Sequence, residues 1–575
     1  MMKNKLYNIV ISYLILGSLC SCYDNLDREL RTTLTQEQIE KEYEYTRLQA
    51  MSLYTDLEEG FFAVNNAMRA SICDEAEYTY KGGAETFNTG SWNALSNPDD
   101  VWDKYFVAIR KVNLYLAPRE EVNLDAYKND DDPNSQAIYI QRVKDLANWK
   151  REARFLRAYY YFELIKRYGG VPIMTESLTL DSDFSAIQRN SLDDCVKFIV
   201  DECNALTNDP NDCLPVVYDE DNLGRATKGA ALALKSRVLL YAASDLWNNP
   251  SWAPGYSNPE LISLSNGTDG NVRQQRWKEA ANAAKAVIDL GEAGYTLGSD
   301  YSKLGKTFED PELIFVCRSW AKNDFERLNF PIGYPNGQGS VTPSQNLVDA
   351  YKMTDGSTFN WNNEDHKNAP FTNRDPRFEM TIYHDGSQFR ETYLQCYEGG
   401  ANKAVANGTK TGYYLRKFVD TDLDLSQNRT SIHTWIFFRL GEIYLNYAEA
   451  LNEYNPSNPD VVTYASKTRQ RNGVNIPAFS SSLNQDEMRE AIRNERQIEL
   501  AFEDHRCWDV RRWMTATKEL NEPLCGMKIE TGSLFSEYSK IEIEKRIFKP
   551  QMYYYPIPQS MMSTENVNWS QNPLW

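Results

Sequence analysis

The sequence predicts a mainly α-helical protein in which helical hairpins carry long irregular loops and only a few short strands. Three observations predict this class. Aromatic and aliphatic residues recur at helical spacing, alanine-rich segments permit close helix–helix approach, and the stretches between are too long and too aromatic to be ordinary connections. With 575 residues, 42% of them hydrophobic and 25% charged, the chain has the make-up of a globular protein.

Residues 152–172, EARFLRAYYYFELIKRYGGVP, set the pattern. Phe155, Tyr159, Phe162 and Ile165 fall on one helical stripe, and Leu156, Tyr160, Leu164 and Tyr168 on the adjoining one. The aromatic run Tyr159–Phe162 is therefore expected in the core and not on a ligand-stacking surface. Gly169-Gly170 stops the helix, and Val171-Pro172 leaves it extended. Gly224–Ser244 predicts a helix beginning near Thr227, with small faces from Ala230, Ala231, Ala233, Ala242 and Ala243. Further amphipathic helices are expected over Arg276–Gly291, Ile436–Tyr454 and Asn484–Glu503. Paired in this way they suggest tetratricopeptide-like packing, although a strict repeat of about 34 residues is not visible.

The N-terminus, MMKNKLYNIVISYLILGSLCSC, has the layout of a secretory signal. Lys3 and Lys5 precede an apolar stretch, Ile9–Leu19, that is too short to span a membrane. Leu19-Cys20-Ser21-Cys22 resembles a bacterial lipobox, which makes residues 1–21 a signal peptide and Cys22 the acylated first residue. Two or more acyl chains hold a protein stably at a membrane surface without a spanning helix. Eight cysteines follow Cys22, with no C-x-x-C and no zinc spacing. Cys203 and Cys213 are the closest pair, and the sequence alone does not establish a disulfide between them.

A net charge of −19 repels phosphate backbones, so nucleic acid is not an expected partner. Four histidines without an H-E-x-x-H argue against a zinc hydrolase of that type, and neither a G-x-S-x-G elbow nor a P-loop occurs. The run Glu495–Trp513, ERQIELAFEDHRCWDVRRW, contains Glu499, Glu503, His505, Arg506 and Asp509. Acids and arginines interleaved at helical spacing more often lock a helix by ion pairing than do acid–base chemistry. Among 81 acidic residues some pair will match any glycosidase separation, so that criterion carries no weight here. The Asp-rich pieces Asn129–Asn134 and Asp420–Asn428 offer oxygen ligands of the kind Ca²⁺ takes. Neither matches an EF-hand, so solvated loops and no cofactor are expected, with structural Ca²⁺ the alternative.

Aromatics in the irregular segments carry more weight. Tyr78, Tyr80, Phe87 and Trp92 share one such segment, and Trp320, Phe325 and Tyr334 another. A sugar presents apolar C–H faces edged by hydroxyls, so its site needs a flat aromatic wall with polar groups at the rim. Asp74, Lys81, Asn93, Arg318 and Asn323 are near those aromatics in sequence. The alternative is that each ring plugs its own loop onto the scaffold.

Eight collinear stretches together resemble one family, the SusD/RagB outer-membrane lipoproteins of Bacteroidetes. They are Glu152–Pro172, Gly224–Ser244, Thr342–Gly356, Asn373–Phe378, Thr411–Phe418, Phe437–Glu453, the Glu495–Trp513 run and the terminal YYYPIPQS…QNPLW. The resemblance implies a SusD-like fold with tetratricopeptide-like helical hairpins, no enzymatic activity, and a surface-facing lipid anchor in the outer membrane. It also implies a partner, a SusC-like TonB-dependent transporter that receives the captured glycan. Ligand contacts in the family lie in N-terminal loops and after a P-E-L-I-F-like strand, here Pro311–Phe315. That places the expected contacts at Trp92 and Trp320, with Tyr78, Tyr80, Asn93 and Asn323 around them. Residues 22–340 would form the N-terminal region with the ligand loops and 341–575 the C-terminal region, in one compact unit. A peptide-capturing member of the same fold is the alternative, and a surface glycoside hydrolase a more distant one.

Overall fold

The computed structural model describes residues 42–575 except 120, 125–126, 129–130, 180, 211, 292–293, 319, 404–407, 532–535 and 565–566. The signal segment, Cys22 and two of the Asp-rich residues near 130 lie outside the described residues. The structure is 44% helical and 10% strand, which places it in the mainly α class. Two compact units divide the described residues: 42–52 with 117–147, and Leu53–Leu116 with Asn148–Trp575. In the smaller unit, the Tyr43–Ser52 helix sets Tyr43 Oη 2.8 Å from Asp145 Oδ2, and the Arg142 guanidinium lies 4.2 Å from the Tyr43 ring centre.

The larger unit includes both sides of the 340/341 line, because Ala76–Tyr78 pairs antiparallel with Val341–Pro343. Its scaffold is a succession of packed helices. Lys228–Ala243 packs on Gly270–Ile288, which packs on Leu440–Tyr454, which packs on Gln485–Glu499. The predicted start near Thr227 holds: the Thr227 hydroxyl accepts from Ala230 N at 3.1 Å and caps the helix. Likewise Asn484 and Glu487 form a reciprocal capping box at the start of Gln485–Glu499.

The helix that contains residues 152–168 runs Pro133–Tyr168, and Tyr159, Tyr160, Tyr161 and Phe162 are all buried in the core. Gly169 ends it at φ +71°, where a Cβ would stand 2.2 Å from the Leu261 carbonyl oxygen. Both the conformation and the space require glycine there.

One element departs from expectation. Ile436–Tyr454 is not a single helix: Thr434–Arg439 is a strand paired with Leu313–Arg318, and the helix begins at Leu440. All six residues of TWIFFR are buried, so the strand has lost the alternation that would distinguish it from a helical run.

Candidate functional site

The polar run Glu495–Trp513 is structural. Arg377, Lys417, Arg439, Arg469 and Arg471 face Asp375, Glu312, Glu495, Glu499 and Glu503, and all ten side chains are buried. Glu499 is the hub: it accepts from Arg377 Nη1 at 2.8 Å, Arg439 Nη1 at 2.8 Å and Arg471 Nη2 at 2.6 Å. Burial alone would raise its pKa, but Arg471, Arg439 and Arg377 outweigh burial and hold the carboxyl well below the usual range. Five charges of each sign leave the cluster balanced, which is how so many ions tolerate the interior. The surrounding protein, with Arg237, Arg496 and Arg439, pushes His505 well below the ordinary imidazole value. The cavity beside His505 measures about 30 Å³, room for a water molecule and not for a sugar.

The eight described cysteines are free, Cys203 and Cys213 included. Asp424 accepts from the backbone and hydroxyl of Ser426, capping a short turn. Among the described residues no group of three or more His, Cys, Asp or Glu could hold a metal ion.

Trp92 corrects one expectation: its side chain is only 2% exposed, so it offers no face to a ligand. Phe87, Tyr555 and Trp575 enclose it, with ring centres 4.7, 5.0 and 4.7 Å away. The C-terminal segment closes over the indole, and nothing local in the sequence reveals that. Asn93 is exposed but serves its own turn, its Oδ1 accepting from Leu95 N at 2.9 Å. Tyr78 is a second correction: paired with Val341 in the short sheet, it is buried and sits 6.0 Å from Tyr80, which it supports. Asp74 is engaged by Arg506 through two hydrogen bonds of 2.8 Å, so it too is structural.

The remaining predicted residues, Tyr80, Asn323 and Trp320, lie on segments that hydrogen bonds join in pairs. Tyr80 Oη donates to Gln338 O at 2.9 Å, and Gln338 N donates to Arg327 O at 3.0 Å. Asn323 Nδ2 donates to Asn428 Oδ1 and Arg429 O, both at 3.0 Å. Lys322 and Ser431 exchange backbone hydrogen bonds of 2.9 and 2.8 Å, and Asn336 Nδ2 reaches Leu425 O at 3.2 Å. The segments 78–82, 320–340 and 420–433 are thereby stitched into one face. Trp320 stands on it 88% exposed. Stacking surface held on hydrogen-bonded loops is what a flat, hydroxyl-edged ligand requires.

Sequence reasoning missed a hairpin attached to the 320–340 segment. Gln388–Phe389 and Thr392–Tyr393 form a two-residue hairpin, anchored where Tyr334 Oη meets Thr392 Oγ1 and the Tyr334 and Phe389 rings lie 4.6 Å apart. It presents Tyr393 at 67% exposure. The available signal was QFRETYL, where buried Phe389 and Leu394 flank exposed residues, but the strands are too short for periodicity to register. Asn336, Arg390 and Asn428 adopt positive φ of 59°, 56° and 53°.

Two family models match separate parts of the chain, and relatives match most of it. The SusD family model matches residues 311–575, and a model described as starch-binding associating with outer membrane matches residues 24–240. The chain is SusD-like. A SusD-like protein of Formosa agariphila is 24% identical over 534 residues, covering 88% of this chain and 90% of its own. A solved SusD-like protein from Bacteroides fragilis superposes with a TM-score of 0.73 at 24% identity, covering 94% of this chain and 99% of that one. A laminarin-binding SusD-like protein superposes with a TM-score of 0.60 at 19% identity, covering 93% of this chain and 100% of that one. At these identities the likeness establishes the SusD-like fold. Among the described residues no helix of this SusD-like chain is long and apolar enough to cross a membrane.

Proposed function

We propose that this chain is a non-catalytic, glycan-binding lipoprotein of the outer membrane, anchored through Cys22, that passes captured oligosaccharide to a SusC-like TonB-dependent transporter. The observation that carries the glycan reading is the Trp320 indole, 88% exposed on a face whose three segments are tied together by hydrogen bonds. An open indole face is the kind of surface on which the apolar C–H face of a sugar stacks. The family description of starch binding at the outer membrane supports the same reading, as does laminarin binding by a structural neighbour. Stacking on Trp320 and Tyr393, with sugar hydroxyls donating to the side-chain carbonyl oxygens of Asn323 and Asn336 and to the Tyr80 hydroxyl oxygen, accounts for retention without covalent chemistry. An aromatic anchor of this kind contributes on the order of 2 kcal/mol, enough for capture and weak enough for release.

The test is calorimetric titration of the purified protein with plant, fungal and algal polysaccharides, followed by chromatography of each mixture. Saturable binding without new products, weakened about thirtyfold by Trp320→Ala, is the expected result. New products would replace this reading with an enzyme, and binding only to protein digests would replace the glycan with a peptide.

A further inference from the structure

A second cavity, unrelated to the loop face, measures about 590 Å³ and runs along the Trp102–Leu116 helix. Its volume is in the range of small-molecule sites, roughly 300–1,000 Å³. Trp102, Phe106, Met174, Leu178, Met561 and Trp569 make its walls. Those walls are held in place rather than left to collapse. Trp569 Nε1 donates to Ile187 O at 2.8 Å, its ring lies 5.7 Å from Trp102, and Asn113 Nδ2 donates to Met174 O at 2.9 Å. Such walls give a sugar hydroxyl almost no partner, so burying a glycan there would strand its polar groups.

Charge appears only at the margin. Asp103, Val107 and Arg110 follow one another at helical spacing along the lining, and Val107 is 51% exposed. Glu176 adds a second carboxylate. Among the described residues none of Asp103, Arg110 and Glu176 has a side-chain ion pair or hydrogen bond. An apolar interior rimmed by exposed, unpaired charges of both signs is complementary to an alkyl chain ending in a zwitterion. We propose that this groove binds a single-chain zwitterionic phospholipid. The alkyl chain lies against Trp102, Phe106 and Trp569, the phosphate on Arg110, and the ammonium group against Asp103 and Glu176. Charge-assisted hydrogen bonding of phosphate suits the planar guanidinium.

The probe is n-dodecylphosphocholine below its critical micelle concentration, followed by calorimetry and tryptophan fluorescence on the purified protein. One molecule should bind per chain and shift the emission of the groove tryptophans. Val107→Asp, on an exposed position, should weaken binding at least about tenfold without moving the melting temperature. Arg110→Ala should weaken dodecylphosphocholine about tenfold while leaving the neutral n-dodecyl maltoside unaffected. Absence of saturable binding, or binding that both substitutions leave unchanged, overturns the proposal. Equal affinity for dodecyl maltoside overturns the zwitterion assignment.

Discussion

The charged hub around Glu499 and the loop face around Trp320 lie in the same unit and use polar groups in opposite ways. At the hub, five cations and five carboxylates satisfy one another in the interior, with Arg439 alone donating to Glu312, Glu499 and Glu503. At the loop face, Asn323, Asn336 and Tyr80 spend part of their hydrogen bonding on neighbouring loops and leave an indole uncovered. The difference teaches where ligand chemistry can occur. Groups that neutralise each other in the core have no capacity left for a substrate, whereas a rim that fixes its own backbone keeps a surface open.

The sharpest way to break this comparison is at the hub. Arg439→Ala leaves three buried carboxylates short of a partner, and breaking such a pair costs about 3–5 kcal/mol. The urea midpoint should fall accordingly, whereas glycan affinity of the protein that remains folded should not change. A small stability loss would mean that water reaches the hub and that it is not the sealed cluster described above.

Trp92→Ala separates a packed ring from a displayed one. Enclosed by Phe87, Tyr555 and Trp575, Trp92 should cost about 3–5 kcal/mol on truncation, with a lowered melting temperature. Loss of glycan binding at unchanged stability would return Trp92 to the ligand face.

The two tryptophans also mark what could be read from sequence. Tyr159–Phe162, Thr227 and Asn484 were legible because stripes and caps are local signals, and the structure places them as the pattern requires. The long aromatic segments were legible as irregular segments. Which of their rings stay exposed was not, because exposure depends on which distant segment arrives: the C-terminus covers Trp92, while none of the described segments covers Trp320. For the same reason TWIFFR reads as helix until Leu313–Arg318 is seen to pair with it.

Glu75 tests the interior by pH. It is buried, and burial followed by repulsion from Asp74 pushes its pKa up to about 8. A carboxyl that titrates near 4.5 unfolded and near 8 folded favours the folded state fully below 4.5, and that contribution is lost as pH rises through 8. Between pH 5 and 8 the loss should be on the order of 2–4 kcal/mol, at 1.36 kcal/mol per unit. His505, held neutral when folded, has the opposite slope below its ordinary value, so the informative quantity is the difference between wild type and Glu75→Gln. The variant should gain relative stability steadily across that window in urea titrations. Parallel curves would mean that Glu75 is ionised in the fold.

Trp320→Ala should have the smallest effect on the fold and the largest on the ligand. A side chain 88% exposed makes few contacts to lose, so stability should stay within about 0.5 kcal/mol of wild type. Glycan affinity should drop by about 2 kcal/mol, and Tyr393→Ala should weaken it less, since a phenol ring offers a smaller stacking area than an indole. The double substitution distinguishes one continuous binding surface from two independent patches. If a single oligosaccharide covers both rings, long chains should lose more affinity than disaccharides when either ring is removed. If chain length makes no difference, Tyr393 is not on the ligand's path, and the face reduces to the Trp320 loop with Asn323 beside it.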